Sequence, residues 1–144
     1  MPSLASVPPV DLCVKISSPS DLPIARQLGR QLALELGLGE TEVTLLAAAI
    51  TEVARNIIDH AAHGELFFNV LEKEATRGLQ IIARDEGPGI PDVHRAMQYG
   101  FSTVGSLGVG LPGAKWLVDE FTIDSTVGHG TRVVLRKWAK APAI

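Results

Sequence analysis

From Thr41 to Ala62 the apolar residues Val43, Leu46, Ile50, Val53, Ile57 and Ala61 recur at steps of three and four. Only an α-helix with one buried face brings such positions together, so this stretch commits the chain to a helix that must pack on an apolar surface. Strand-like segments on either side supply that surface. Leu12-Cys13-Val14-Lys15-Ile16 is a short β-branched run and reads as a strand. Glu65–Glu72 and Leu79–Asp85 read as a hairpin closed by a polar turn containing Arg77-Gly78. Phe121–Thr126 and Thr131–Trp138 form a second pair around Gly128-His129-Gly130.

The remaining helices have their own punctuation. Ser20 is placed to cap a helix with Pro23 in its first turn, and Ile24, Leu28, Leu32 and Leu36 lie four residues apart before Gly37 stops it. The helix that starts near Thr41 is expected to run to about Ala62, with Gly64 as its stop. A short helix over Pro91–Gln98, a loop over Tyr99–Leu107 and a helix over Leu111–Glu120 with Pro112 in its first turn complete the order. Strand pairs with helices grouped between them predict an α+β fold: a two-layer sandwich with a mixed, mostly antiparallel sheet and helices on one face. With 144 residues, 46% of them hydrophobic, the chain can bury one core. The domain is expected over 11–139, with tails at 1–10 and 140–144.

Composition removes several function classes. The net charge is −3 and the pI about 5.8, with no basic stripe for nucleic acid and no polybasic patch for a membrane. Glu52 interrupts the most apolar helical stretch, so no membrane span is expected. Cys13 is alone, which excludes a disulfide framework and a cysteine zinc site. His60 and His63 lack an evident third metal ligand. Met1–Pro9 has neither the basic nor the apolar region of a signal peptide, and a cytoplasmic setting is the expectation.

Four features carry chemistry. Glu52 and Asn56 stand at i and i+4, on one face of the long helix. This is either a solvated face or a pair in which Glu52 takes a proton and Asn56 offers a carbonyl oxygen to Mg²⁺, a hard cation that prefers oxygen. Asp85 ends a strand and enters Glu86-Gly87-Pro88-Gly89-Ile90. A buried carboxylate there could accept from the exocyclic amine of adenine and reject guanine, while Gly87 and Gly89 admit a sharp turn; a plain β-turn uses the same residues. Gly108-Val109-Gly110-Leu111 runs into a helix whose free N–H groups suit phosphate. With Gly113 it matches G-x-G-x-x-G by letter, yet a loop precedes it where a dinucleotide site needs a strand. Gly128-His129-Gly130-Thr131 is a hairpin turn, or the floor of a pocket with Thr131 beside the adenine.

Taken together, these motifs resemble the GHKL ATPase superfamily, whose nucleotide site is the Bergerat fold. The chain is further similar to the RsbT family of bacterial serine/threonine switch kinases. The resemblance runs from about Asp11 to Trp138, on Arg26-Gln27-Leu28-Gly29-Arg30, Glu52-Val53-Ala54-Arg55-Asn56-Ile57, Asp85–Asp92, Gly100-Phe101-Ser102-Thr103, Gly108–Lys115 and Lys137-Trp138. Thr51, Val53 and Val104-Gly105-Ser106 depart from the usual residues without touching a motif position. The resemblance implies that ATP and Mg²⁺ are used. It implies Glu52 as general base, Asn56 as the metal ligand, Asp85 as the adenine reader, and Gly87, Gly89, Gly108 and Gly110 as pocket backbone. It implies an ATP lid over Tyr99–Leu107. It implies a Ser or Thr of a STAS-domain antagonist or scaffold as phosphate acceptor, and a PP2C-type phosphatase bound once the kinase is released. A related anti-sigma factor kinase and a non-catalytic ATP sensor are the competing readings; intact Glu52 and Asn56 weigh against the sensor.

Overall fold

The computed structural model describes residues 11–91, 93, 97 and 110–140. Strand β1 (Asp11–Ile16) leads into helix α1 (Asp21–Glu35) and the long helix α2 (Glu40–Ala61). Strands β2 (Gly64–Lys73) and β3 (Thr76–Asp85) follow, then helix α3 (Gly110–Leu117) and strands β4 (Glu120–Thr126) and β5 (Gly130–Trp138). The strands form one sheet in the order β1-β2-β3-β5-β4, and every pairing among them is antiparallel. This is the expected two-layer α+β sandwich, except that the sheet, expected to be mixed, is antiparallel throughout the described strands, because each neighbouring pair runs in opposite directions.

Alternation along the strands decides which sheet face meets the helices. Leu66 and Phe68 of β2, Leu79, Ile81 and Ala83 of β3, and Val133 and Leu135 of β5 are buried together with Val43, Leu46, Ile50, Val53 and Ile57 of α2. Each such side chain removed from water contributes roughly 1.5–3 kcal/mol, which makes α2 the main stabilising element of the helical layer. The other face is polar along one cross-strand row. Gln80 Nε2 donates to Asn69 Oδ1 at 3.3 Å, Arg136 Nε donates to Gln80 Oε1 at 2.8 Å, and Arg136 Nη1 reaches Glu120 Oε1 at 3.2 Å.

Several local expectations are corrected. The Ile24–Leu28–Leu32–Leu36 line of α1 is only part of its apolar face: Leu32 and Leu36 are buried and Leu28 packs against the core, but Ile24 does not. The buried residues within the helix are Ala25, Gly29, Leu32 and Ala33, while Ile24 is 59% exposed. Small residues win because α1 lies close on α2: a Cβ on Gly29 would fall 2.2 Å from Ile50 Cδ1. Helix α2 ends at Ala61, and Ala62, with φ 69°, turns the chain out. Gly64 instead opens β2, where a Cβ would meet the Arg84 carbonyl at 2.5 Å. The β2–β3 turn is Glu74-Ala75, with φ of 50° and 66°, rather than Arg77-Gly78. Gly78 lies within β3 because the Trp138 ring packs over it, 2.6 Å from where a Cβ would stand. Helix α3 stops at Leu117, short of Glu120, because Asp119 joins the sheet end: its N–H donates to Arg136 C=O at 2.9 Å and its Oδ2 accepts from Trp138 N–H at 2.8 Å.

The Pro91–Gln98 helix falls largely outside the described residues; within it Met97 N–H donates to Val93 C=O at 3.0 Å, a helical bond. Most of the two expected tails also lies outside them.

Two measurements test these local assignments. Both turn residues of the β2–β3 hairpin hold a positive φ that glycine and asparagine tolerate better. The double variant E74N/A75G is expected to be more stable by about 1 kcal/mol, raising the melting temperature by roughly 2–6 °C in a calorimetric scan. At the start of α1, Asp21 Oδ2 accepts from Ser17 N–H at 2.8 Å and Ser18 N–H at 3.1 Å, and these bonds hold its carboxyl below the usual carboxylate range. A depressed folded-state pKa contributes stability above the unfolded value and loses it as pH falls. Asp21→Ala should therefore melt lower than the parent at neutral pH, and the gap should close below the ordinary carboxylate range.

Candidate active site

The long helix places Glu52 and Asn56 one turn apart, with Glu52 meeting the start of α3. Glu52 is 8% exposed, so the solvated-face reading fails for it; Asn56 is half-buried. The two Glu52 oxygens have different partners. Oε1 accepts from Gly110 N–H at 3.2 Å and Oε2 faces Arg55 Nη1 at 3.3 Å. Gly110, with φ 67°, begins α3, and Leu111 behind it is buried in the core, leaving its backbone and not its side chain for a ligand. Gly108 and Val109 lie outside the described residues, as does the Tyr99–Leu107 segment.

The second half of the site lies at the ends of β3 and β5. Asp85 is 7% exposed and stands opposite Thr131 in the β3–β5 ladder. Its Oδ1 accepts from Gly87 N–H at 2.9 Å and Thr131 N–H at 3.3 Å. Oδ2 has no partner among the described residues, so one acceptor oxygen is held by backbone and the other remains for a ligand donor. The glycines are explained by close approach. A Cβ on Gly87 would meet Ala61 of α2 at 2.6 Å, and one on Gly130 would meet the Asp85 carbonyl at 2.1 Å. Gly89, with φ 78°, would meet the Thr126 carbonyl at 2.4 Å.

Sequence reasoning missed Ser125 and Arg55. Ser125 Oγ accepts from Ile90 N–H at 2.7 Å, donates to Gly130 C=O at 3.2 Å and lies 2.8 Å from Thr131 Oγ1. With its own proton on the Gly130 carbonyl, it leaves Thr131 as donor in that pair, and the Thr131 lone pairs stay available. Gly128 N–H donates to Pro88 C=O at 2.9 Å, so the Gly87–Gly89 turn and the β4–β5 turn are stitched together. Ser125 carried no signal because serine in a strand end reads as an ordinary polar position. Arg55 lies within the Glu52–Ile57 motif, where an arginine on a helix carries no chemical signal of its own.

The donor set fits Mg²⁺ in one respect. Asn56 offers a neutral carbonyl oxygen, and no group of three or more His, Cys, Asp or Glu side chains that could hold a metal occurs among the described residues. No helix of the described residues is long and apolar enough to cross a membrane.

Comparison with known proteins gives a consistent picture. Residues 41–141 match the family described as histidine kinase-, DNA gyrase B-, and HSP90-like ATPase. The serine/threonine-protein kinase RsbT of Bacillus subtilis is 46% identical over 128 residues, covering 89% of this chain and 96% of that protein. The anti-sigma F factor of Geobacillus kaustophilus is 32% identical over 111 residues, covering 72% of this chain and 75% of that protein. Among solved structures, the RsbU and RsbW domains of Rv1364c from Mycobacterium tuberculosis superpose with a TM-score of 0.61 at 18% identity. That match covers 96% of this chain but 35% of the longer one, and it speaks to the fold. The site built from α2, the β3 end and the start of α3 thus occurs in a chain that belongs to the histidine kinase-, DNA gyrase B- and HSP90-like ATPase family, on its RsbT-type branch.

Proposed function

We propose that this chain is an ATP-dependent serine/threonine protein kinase that phosphorylates a STAS-domain partner in a bacterial partner-switching pathway and, once released, engages a PP2C-type phosphatase. The single observation that carries the chemistry is the buried Glu52 carboxylate, one helical turn from Asn56 and bonded to the N–H of Gly110 where α3 begins. The 46% identity to a protein named as a serine/threonine kinase supports the reaction class. The anti-sigma factor alternative rests on lower identity, 32%.

In this reading Asp85 Oδ2 accepts the adenine amine while Oδ1 stays on Gly87 and Thr131. The Gly110 N–H at the start of α3 is offered to the phosphates, and the sequence motif assigns Gly108 to the same role. Asn56 would hold Mg²⁺ against the phosphates, and the metal would neutralise charge there. The acceptor hydroxyl oxygen bonds to the γ-phosphorus as the bond to the bridging oxygen breaks. The hydroxyl proton goes to Glu52 and the electron pair leaves on ADP.

Three variants test the assignments. In Asp85→Asn the two backbone N–H groups hold the amide oxygen in the Oδ1 place, which turns the NH₂ toward the adenine amine. Losing that acceptor costs about 1–3 kcal/mol, so ATP affinity should fall roughly tenfold or more. Unchanged affinity by calorimetry would refute the adenine assignment. Glu52→Gln should keep ATP binding and lose about 10²–10⁴-fold in phosphoryl transfer to a co-encoded STAS-domain protein. Asn56→Ala should weaken ATP binding in the presence of Mg²⁺ and make little difference in its absence; equal loss in both conditions rules out the metal role.

A further inference from the structure

Glu52 has two oxygens and two donors of different kinds. Gly110 N–H, on Oε1, belongs to the start of α3 and to the glycine turn assigned to phosphate. Arg55, on Oε2, sits three residues along the same helix as Glu52, so its hold does not depend on the segment before α3. A phosphate oxygen competing for Gly110 N–H would vacate Oε1 alone. An unconstrained carboxylate would then be free to rotate about its last side-chain bond, whose torsion is broad.

We propose that Arg55 is a positioning residue for Glu52: it keeps Oε2 fixed after Gly110 N–H turns to a phosphate, so that Oε1 is the oxygen presented to the acceptor hydroxyl. This rests on the kinase reading above. Nucleotide binding then arms the base, because the N–H that occupies Oε1 in the ligand-free protein is one that the phosphates take.

The surroundings fit a positioning role better than a structural one. The Arg55 side chain is 33% exposed, and a partly exposed pair of this kind contributes little to stability. The guanidinium presents five N–H donors in a planar fork, of which one is 3.3 Å from Glu52. Helical neighbours at i and i+3 share a face, so the contact is set by backbone geometry.

The test compares wild type, Arg55→Ala, Arg55→Lys, Glu52→Gln and the E52Q/R55A double variant. Single-turnover release or transfer of the γ-phosphate of labelled ATP is measured with and without a co-encoded STAS-domain protein, alongside ATP affinity and melting temperature. Arg55→Ala is expected to slow turnover by about tenfold or more with ATP affinity and melting temperature nearly unchanged, and Arg55→Lys to recover part of the rate. Because Arg55 acts through Glu52, the double variant should be no slower than Glu52→Gln alone. Wild-type turnover in Arg55→Ala while Glu52→Gln is inactive overturns this inference and leaves the kinase reading standing. So does an equal fold-loss from Arg55→Ala in both backgrounds. Wild-type turnover in Glu52→Gln overturns the base assignment itself, and this inference with it.

Discussion

One carboxylate oxygen ties three segments of the molecule together. Asp85 Oδ1 receives the N–H of Gly87, two residues ahead on its own chain, and of Thr131, from the neighbouring strand. A buried carboxylate without donors would cost several kcal/mol, so Asp85 can end β3 only where both N–H groups converge. That convergence demands close backbone approach, and the glycines follow from it. Gly130 sits where a Cβ would strike the Asp85 carbonyl, and Gly87 where it would strike Ala61. The sheet end and the C-terminal turn of α2 are thereby brought to one point.

Helix α2 connects this point to the other half of the site. Its apolar face is anchored in the core along Val43, Leu46, Ile50, Val53 and Ile57. Ala61 at one end meets the Gly87 turn, and Glu52, more than two turns earlier, meets the start of α3. The rise of an α-helix is about 1.5 Å per residue, so the spacing between the two halves is set by counting residues along a rigid, buried rod. The span from Glu52 to Ala61 therefore acts as a ruler, and its length cannot drift without breaking the packing of Val53, Ala54 and Ile57, the buried apolar side chains within it.

The sequence was most readable where one strong periodicity governs an element. The 3-4 repeat of α2 gave the helix, its buried face and the common placement of Glu52 and Asn56 within a residue or so of the observed bounds. It was least readable where two rules compete. In α1 the four-residue line finds Leu28, Leu32 and Leu36 on the core side but leaves Ile24 in water, and it passes over Ala25, Gly29 and Ala33, which close helix approach favours. Gly78 looked like a turn residue, but tertiary contact with Trp138 explains it, and the turn went to two residues with no turn signature. At the site, the acid-glycine turn pointed to Asp85, yet nothing in the linear order placed Thr131 opposite it except the strand pairing. Ser125 was invisible because its role exists only once β4, β5 and the Gly87–Gly89 turn are side by side.

Ser125 also shows how far the pocket extends beyond its walls. Its hydroxyl joins Ile90, Gly130 and Thr131, so the turn after β3 and the turn after β4 behave as one body. A change at Ser125 that removes the hydroxyl orphans the Ile90 N–H and the Gly130 carbonyl no longer has its donor. Because Ile90 and Gly130 contribute main-chain groups, which nearly any residue at those positions would supply, the whole requirement falls on the side chain at 125, where threonine is the one common replacement that keeps a hydroxyl on the same carbon.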